Sequence, residues 1–238
     1  MKTSHHKVLI TGGARGIGKA LCDKFVEHKN EVIIVGRTKP VDLPNGVQFI
    51  ACDLSSAAQR SKLIAQIIQN HSDLSVLINN AGLQHSGQFG EDWHYADYAS
   101  EMQTNMDALV HLTDGLLPLL RQQGEAAIVN VSSALAIQPK QDSPIYCATK
   151  AFVRSFTKTL RFQLEKTMVR VIDIVPPLVD TDMTRGHGTG KISPEELAEI
   201  FWTGWRKNTD TIYVGKAGVL NTINRLSPAL AQKIVRHG

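Results

Sequence analysis

The chain has 238 residues, of which 42 % are hydrophobic and 20 % charged, enough for one large domain or two small ones around a sizeable core. The formal charge of +4 is mildly basic, but no Lys/Arg run or interleaved aromatic patch accompanies it, which argues against nucleic-acid binding. No stretch of about 18 uninterrupted apolar residues exists, so no membrane span is expected. The three cysteines, Cys22, Cys52 and Cys147, have no ligand-like spacing and predict neither a disulfide framework nor a metal site. Met1 to His6 lead straight into an apolar run too short for a signal peptide, and the expected location is cytoplasmic.

Lys7 to Thr11 read as a buried strand. The strand runs into Thr11-Gly-Gly-Ala-Arg-Gly-Ile-Gly18 and then into a helical pattern from Lys19 to His28. Strand, glycine-rich turn and helix are the context of a dinucleotide-binding turn. Glycines let the backbone approach a pyrophosphate, and a helix N-terminus offers N–H groups to it. Glu31 to Val35 form a second strand ending in Gly36-Arg37-Thr38. An NAD site would place Asp or Glu there for the ribose hydroxyl. A guanidinium at Arg37, with Arg15 in the glycine loop, instead suits a 2′-phosphate, which favours NADP(H) over NAD(H).

Gly46 to Cys52 are a third strand ending at Asp53-Leu54, and Ala57 to Asn70 an amphipathic helix. Leu74 to Ile78 are a fourth strand that enters Asn79-Asn-Ala-Gly82. His85 and His94 follow in a loop, where either could touch substrate, and both read rather as solvated residues. A long helix runs from about Tyr95 to Leu120 with Asn105 near its middle, and an interior asparagine needs hydrogen-bond partners. Leu109, Leu112 and Leu116 on this helix read as outward apolar positions that a second copy would cover. Glu125 to Val131 are a fifth strand, ending at Ser132-Ser133.

The next helix opens near Ser143-Pro144 and continues to about Lys166, carrying Tyr146 and Lys150. Their i, i+4 spacing points both at one spot. A phenol titrates near pH 10, and an adjacent ammonium lowers that value toward the working range of a general acid/base. Met168 to Val175 are a sixth strand, followed by Pro176-Pro-Leu-Val-Asp-Thr-Asp-Met183. The glycine-rich run after it reads as a lid, about 183–200. A helix from Pro194 to Lys207, a short seventh strand at Thr211 to Val214 and a basic amphipathic tail complete the chain.

Strands alternating with helices predict an α/β fold, a single Rossmann-like doubly wound domain over 1–238. Its sheet is seven-stranded and mainly parallel, with helices on both faces. The cofactor half is expected over about 1–130 and the catalytic and substrate half over about 131–238. The joint pattern Thr11 to Gly18, Asp53, Asn79 to Gly82, Asn105, Ser133, Tyr146 and Lys150 resembles the short-chain dehydrogenase/reductase family over nearly the whole chain. The segments 176–182, 192–196, 212–215 and 225–231 narrow the resemblance to the DltE-type oxidoreductases.

The resemblance implies Tyr146 as general acid/base and Ser133, rather than Ser132, as hydrogen-bond donor to the substrate oxygen. It implies that Lys150 holds the nicotinamide ribose and that Asn105 holds a water in a proton relay. The cofactor residues it implies are Thr11, Gly12, Arg15, Gly16, Ile17, Gly18, Arg37, Asp53, Leu54, Asn80, Ala81, Gly82, Tyr146, Lys150, Pro176, Val179 and Thr181. Pro177 stands where the family usually has glycine. The expected activity is NADP(H)-dependent hydride transfer between nicotinamide and a carbonyl or secondary alcohol, by a homodimer or homotetramer. An NADP(H)-binding regulator or scaffold is the alternative.

Overall fold

The computed structural model describes residues 1–186 and 188–236. His187, inside the expected lid, and the last two residues of the expected domain lie outside the described residues. Seven strands, β1 (Lys7–Thr11), β2 (Glu31–Gly36), β3 (Val47–Ala51), β4 (Leu74–Asn79), β5 (Ala126–Val131), β6 (Val169–Val175) and β7 (Thr211–Tyr213), form one sheet. The order is β3-β2-β1-β4-β5-β6-β7, and every neighbouring pair is parallel. The order reverses between β1 and β4, so a crevice opens at the carboxyl ends of these two strands. The inner strands are buried on both faces, which is why they read as unbroken apolar runs rather than alternating ones.

Helices α1 (Gly16–Glu27), α2 (Ala57–Asn70), α3 (Tyr95–Met102), α4 (Ala108–Leu120), α5 (Pro144–Leu164), α6 (Pro194–Arg206), α7 (Lys216–Leu226) and α8 (Pro228–Val235) follow in chain order. One core packs α1 and α6 against the sheet through Phe25, Phe201, Trp202 and Trp205. The other packs α2, α4 and α5 on the opposite face through Leu63, Ile67, Leu112, Leu116 and Leu160.

The second core corrects one expectation. Leu109, Leu112 and Leu116 are 5 %, 0 % and 0 % exposed and face the chain's own interior, so they call for no second copy. An apolar stripe on a helix shows that something covers it, and here the covering elements are the sheet and α2. The expected long helix over 95–120 is continuous but not uniform: Gln103–Asp107 form a wider π turn between α3 and α4. The expected lid is also shorter than 183–200. A parallel bridge between Val179 and Ile192 closes its stem. Residues from Pro194 onward belong to α6, whose Leu197 and Ala198 are core.

Candidate active site

The glycine turn is shaped by close packing. Gly12 has φ +66°, and a Cβ there would lie 3.0 Å from the Ala81 Cα. At Gly18 an added Cβ would stand 2.2 Å from the Gly12 carbonyl oxygen, so α1 meets the turn with no room for a side chain. Gly16 has φ +53° and abuts Thr181. Arg15 precedes α1 without a side-chain cap, leaving the first helical N–H groups to a ligand. This cradle fits a dinucleotide pyrophosphate.

The Thr11 hydroxyl is engaged within the protein. It donates to the Ile78 carbonyl at 3.3 Å and accepts from the N–H groups of Asn80 at 2.9 Å and Ala81 at 3.0 Å. The Asn80 amide donates in turn to the carbonyls of Thr11 and Gly12 at 2.9 and 3.2 Å. Thr11 and Asn80 therefore bolt the glycine turn to the end of β4. Asn79 lies beneath, donating to the Asn130 side-chain oxygen at 2.8 Å inside the sheet.

At the ends of β2 and β3, Arg37 is exposed. The Asp53 carboxylate accepts from the Ser55 N–H at 3.0 Å and hydroxyl at 2.8 Å; these bonds, with the fields of Arg37 and Arg60, hold its carboxyl below the usual range. Leu54 is buried beside it. Arg15 points elsewhere: its guanidinium lies 3.3 Å from Asp182, which Arg185 also engages. Across the cleft, the Pro176 carbonyl accepts from the Ala134 N–H at 2.8 Å, and Val179 is buried at the stem where it pairs with Ile192. Pro177 leaves this stem intact, with the Asp180 N–H on the Ile192 carbonyl at 2.9 Å.

Ser132 and Ser133 divide their work. Ser132 is buried and donates to Asp173 at 2.6 Å, so its hydroxyl is committed. Ser133 caps the short turn after β5 by accepting the Leu135 N–H at 3.0 Å, and faces the Tyr146 phenol. Its hydroxyl hydrogen remains to be donated.

Tyr146 and Lys150 sit one turn apart on α5, with the Lys150 Nζ 5.5 Å from the centre of the tyrosine ring. Lys150 donates to the Val131 carbonyl at 2.9 Å. Burial brings its pKa down to about 8, opposed by the negative charges of Asp173 and Glu101. For Tyr146 the direction differs from the one expected. Burial pushes the phenol above its ordinary value, Cys147 and Glu101 add to this, and the Ser133 hydroxyl pulls the other way. Desolvation outweighs the help that a cation one helical turn away would give.

Asn105 lies in the middle of the π turn, 2 % exposed. Its oxygen accepts the Leu83 N–H at 2.8 Å, and its amide donates to the Leu83 carbonyl at 2.9 Å and the Thr149 hydroxyl at 3.1 Å. The extra residue of a π turn rotates the side chains on either side of it. Beside Asn105 and Lys150 is a cavity of about 10 Å³, also lined by Thr11, Asn79 and Thr104. It is close to the smallest space that holds one water. Gly82 borders this place: a Cβ there would lie 3.4 Å from the Asn105 Oδ1 and 3.7 Å from the Lys150 Nζ.

The two histidines part company. His94 precedes α3, where its N–H donates to Asp97 at 3.0 Å. His85 is not a solvated loop residue: its ring and its backbone N–H both engage Glu101, each at 3.0 Å. No sequence signal joins these two, because they are 16 residues apart across a loop without periodicity.

The sequence profile of the short chain dehydrogenases matches residues 6–191. The chain belongs to that family. Among curated relatives, it is 39 % identical over 226 residues to the uncharacterized oxidoreductase DltE of Bacillus subtilis (strain 168), covering 89 % of each chain. It is 30 % identical over 215 residues to the NADP-dependent 3-hydroxy acid dehydrogenase YdfG of Salmonella typhi, covering 82 % of this chain and 87 % of the relative. Among solved structures, a short chain dehydrogenase from Burkholderia cenocepacia J2315 in complex with NADP superposes with a TM-score of 0.89. It has 24 % identity and 99 % coverage of both chains. A short-chain dehydrogenase/reductase from Burkholderia phymatum in complex with NAD superposes at 0.83, with 20 % identity and coverage of 97 % and 96 %. The protein is thus an oxidoreductase of this family.

Proposed function

We propose that this chain is an NADP(H)-dependent carbonyl reductase or alcohol dehydrogenase with Tyr146 as general acid/base. The observation that carries the reading is the meeting of Ser133, Tyr146 and Lys150 at the carboxyl ends of β4 and β5, beside the glycine cradle. Gly12, Gly16, Ile17 and Gly18 would receive the pyrophosphate, and Asp53 and Leu54 would flank the adenine. Asn80, Ala81 and Gly82 would lie under the ribose, and Pro176, Val179 and Thr181 against the nicotinamide carboxamide. When bound, the cofactor supplies or accepts the hydride.

The chain's own residues do the rest. Ser133 donates a hydrogen bond to the substrate oxygen and stabilises charge developing there. Tyr146 gives that oxygen a proton in the reducing direction and takes it back in the oxidising one. Lys150, anchored on Val131, brings a positive charge to the phenol and a donor to the ribose hydroxyls. Its pKa near 8 places this charge within reach of working pH. Thr11 acts by positioning, since its hydroxyl is already engaged three times.

Arg37 supports NADP(H) over NAD(H): it is exposed at the end of β2, where the chain itself places a guanidinium rather than a carboxylate. Arg15 joins it only by leaving Asp182. We also read the protein as a cytoplasmic homodimer or homotetramer. Three buried free cysteines support the compartment, and the exposed Val110 and Phe162 on α4 and α5 support the assembly.

The test is Tyr146→Phe. Turnover of carbonyl substrates should fall by about a thousandfold or more while NADPH affinity holds. Unchanged turnover would end this reading. Tight NADPH binding by the native chain with no turnover on a broad carbonyl panel would favour a cofactor-sensing scaffold.

A further inference from the structure

Glu101 is a buried charged group of the site that the chemistry above does not use. It is 0 % exposed, at the end of α3 and four residues before Asn105. Its Oε2 accepts both the backbone N–H and the Nδ1–H of His85, at 3.0 Å each. Its Oε1 has no hydrogen-bond partner among the described residues. Leaving a buried carboxylate oxygen unpaired is costly, so the position demands a return. Burial pushes the Glu101 carboxyl up while the His85 bonds hold it down, and its field reaches Tyr146 and Lys150.

The loop it grips runs beside the helix that carries Tyr146. Gly82 is beside Lys150, Leu83 is clamped twice by Asn105, and the side chains of Gln84 and Ser86 bond Ser143 at the start of the Tyr146 helix. His85 stands between these anchored neighbours with its ring against Trp93, 4.5 Å between centres. With Nδ1 committed to Glu101, Nε2 makes no hydrogen bond to the described residues and is not among the buried unpaired atoms. A carboxylate on one ring nitrogen fixes the ring's orientation and leaves the other nitrogen for a ligand. The result is a held imidazole whose Nε2 can meet an anionic group through an N–H when the ring carries a second proton.

We propose that His85 is a specificity residue, oriented by Glu101, that receives a carboxylate carried by the substrate, so that the preferred substrates are oxo acids and hydroxy acids. The proposal rests on the carbonyl-reductase reading above, and deepens it by naming what the substrate carries besides the reacting carbonyl. Glu101 is a positioning residue: it acts only through the ring it holds.

The experiment is steady-state NADPH oxidation with α-, β- and γ-oxo acids, each beside its methyl ester. The chains compared are the native one, His85→Ala, His85→Gln and Glu101→Gln. The native chain should show a KM for at least one acid roughly tenfold below that of its ester, the size of one charge-assisted hydrogen bond. His85→Ala should erase this gap by raising the acid's KM far more than the ester's. His85→Gln, which keeps a donor, should restore part of it, and Glu101→Gln should weaken it. A purely structural pair would move acid and ester together, and that result overturns the proposal. So does a native preference for the esters. If neutral ketones are reduced with Tyr146 dependence and acids are not, the proposal falls and the carbonyl-reductase reading stands. If NADPH binds and no carbonyl is reduced, both fall.

Discussion

Lys150 is buried with its charge, and its cost is readable in its pKa of about 8, below the ordinary 10.5. The unfolded chain keeps a proton on this lysine up to its ordinary value, whereas the folded chain releases it near pH 8. Between those values the unfolded state binds more protons, so this group's contribution to stability rises with pH and is at its least favourable below pH 8. Lys150→Met should therefore raise the melting temperature at pH 7, on the order of 5 °C. The advantage should shrink between pH 8 and 10.5, while turnover is lost throughout; thermal denaturation of both chains across that range checks the sign. Arg37 makes a different demand on the same scale. It is exposed and stands near Asp53, on whose carboxyl its charge acts. Arg37→Ala should weaken NADPH binding by roughly tenfold or more and leave NADH binding unchanged, as one lost guanidinium–phosphate pairing implies. Calorimetric titration of both cofactors measures this.

The first turn of α1 and the turn before it succeed or fail together. Because an alanine Cβ at position 18 would stand 2.2 Å from the Gly12 carbonyl, backbone must shift to admit it. Gly18→Ala should reduce NADPH affinity by about a hundredfold or more, since the cradle depends on that approach. Melting temperature measured alongside will show whether the fold persists. This turn was legible in the sequence because glycine spacing reports backbone geometry directly. The Tyr146–Lys150 pair was legible for a similar reason, since i, i+4 on a helix is contact. What escaped was contact made through the tertiary fold. The π turn around Asn105 has no residue signature, and His85 and Glu101 come from different elements. The leucines of α4 were read correctly as apolar and wrongly as outward, because periodicity marks a face without saying what lies opposite it. The direction of the Tyr146 shift was missed because burial is not written in spacing.

The whole molecule is held by two cores of unlike composition. The face under α1 and α6 is aromatic: Phe25 meets Trp202 and Trp205 edge-on at 5.2 and 5.4 Å, and Phe201 tilts between them. The amino terminus joins in, with the Trp205 Nε1 donating to the Lys2 carbonyl at 2.9 Å. Phe201 is 0 % exposed. Phe201→Ala should cost about 3–5 kcal/mol of unfolding free energy, and more than any surface change on α6, as urea denaturation would report. The site lies at the opposite end of the strands from Lys2, so a chain that still folds should keep its cofactor affinity.

The strand order also governs how the molecule comes into being. Its centre is the pairing of β1 with β4, and Lys7 finds Leu74 only after the whole of the intervening chain has been made. Synthesis at roughly 5–20 residues per second leaves β1 waiting several seconds for its neighbour on that side. Among the described residues no hairpin offers a local start, because all neighbouring strands run parallel. During that wait the chain exposes Val8, Leu9 and Ile10, residues with 0 % exposure once folded. Until β4 is made, the central strand of a newborn chain has a sheet neighbour on one side only.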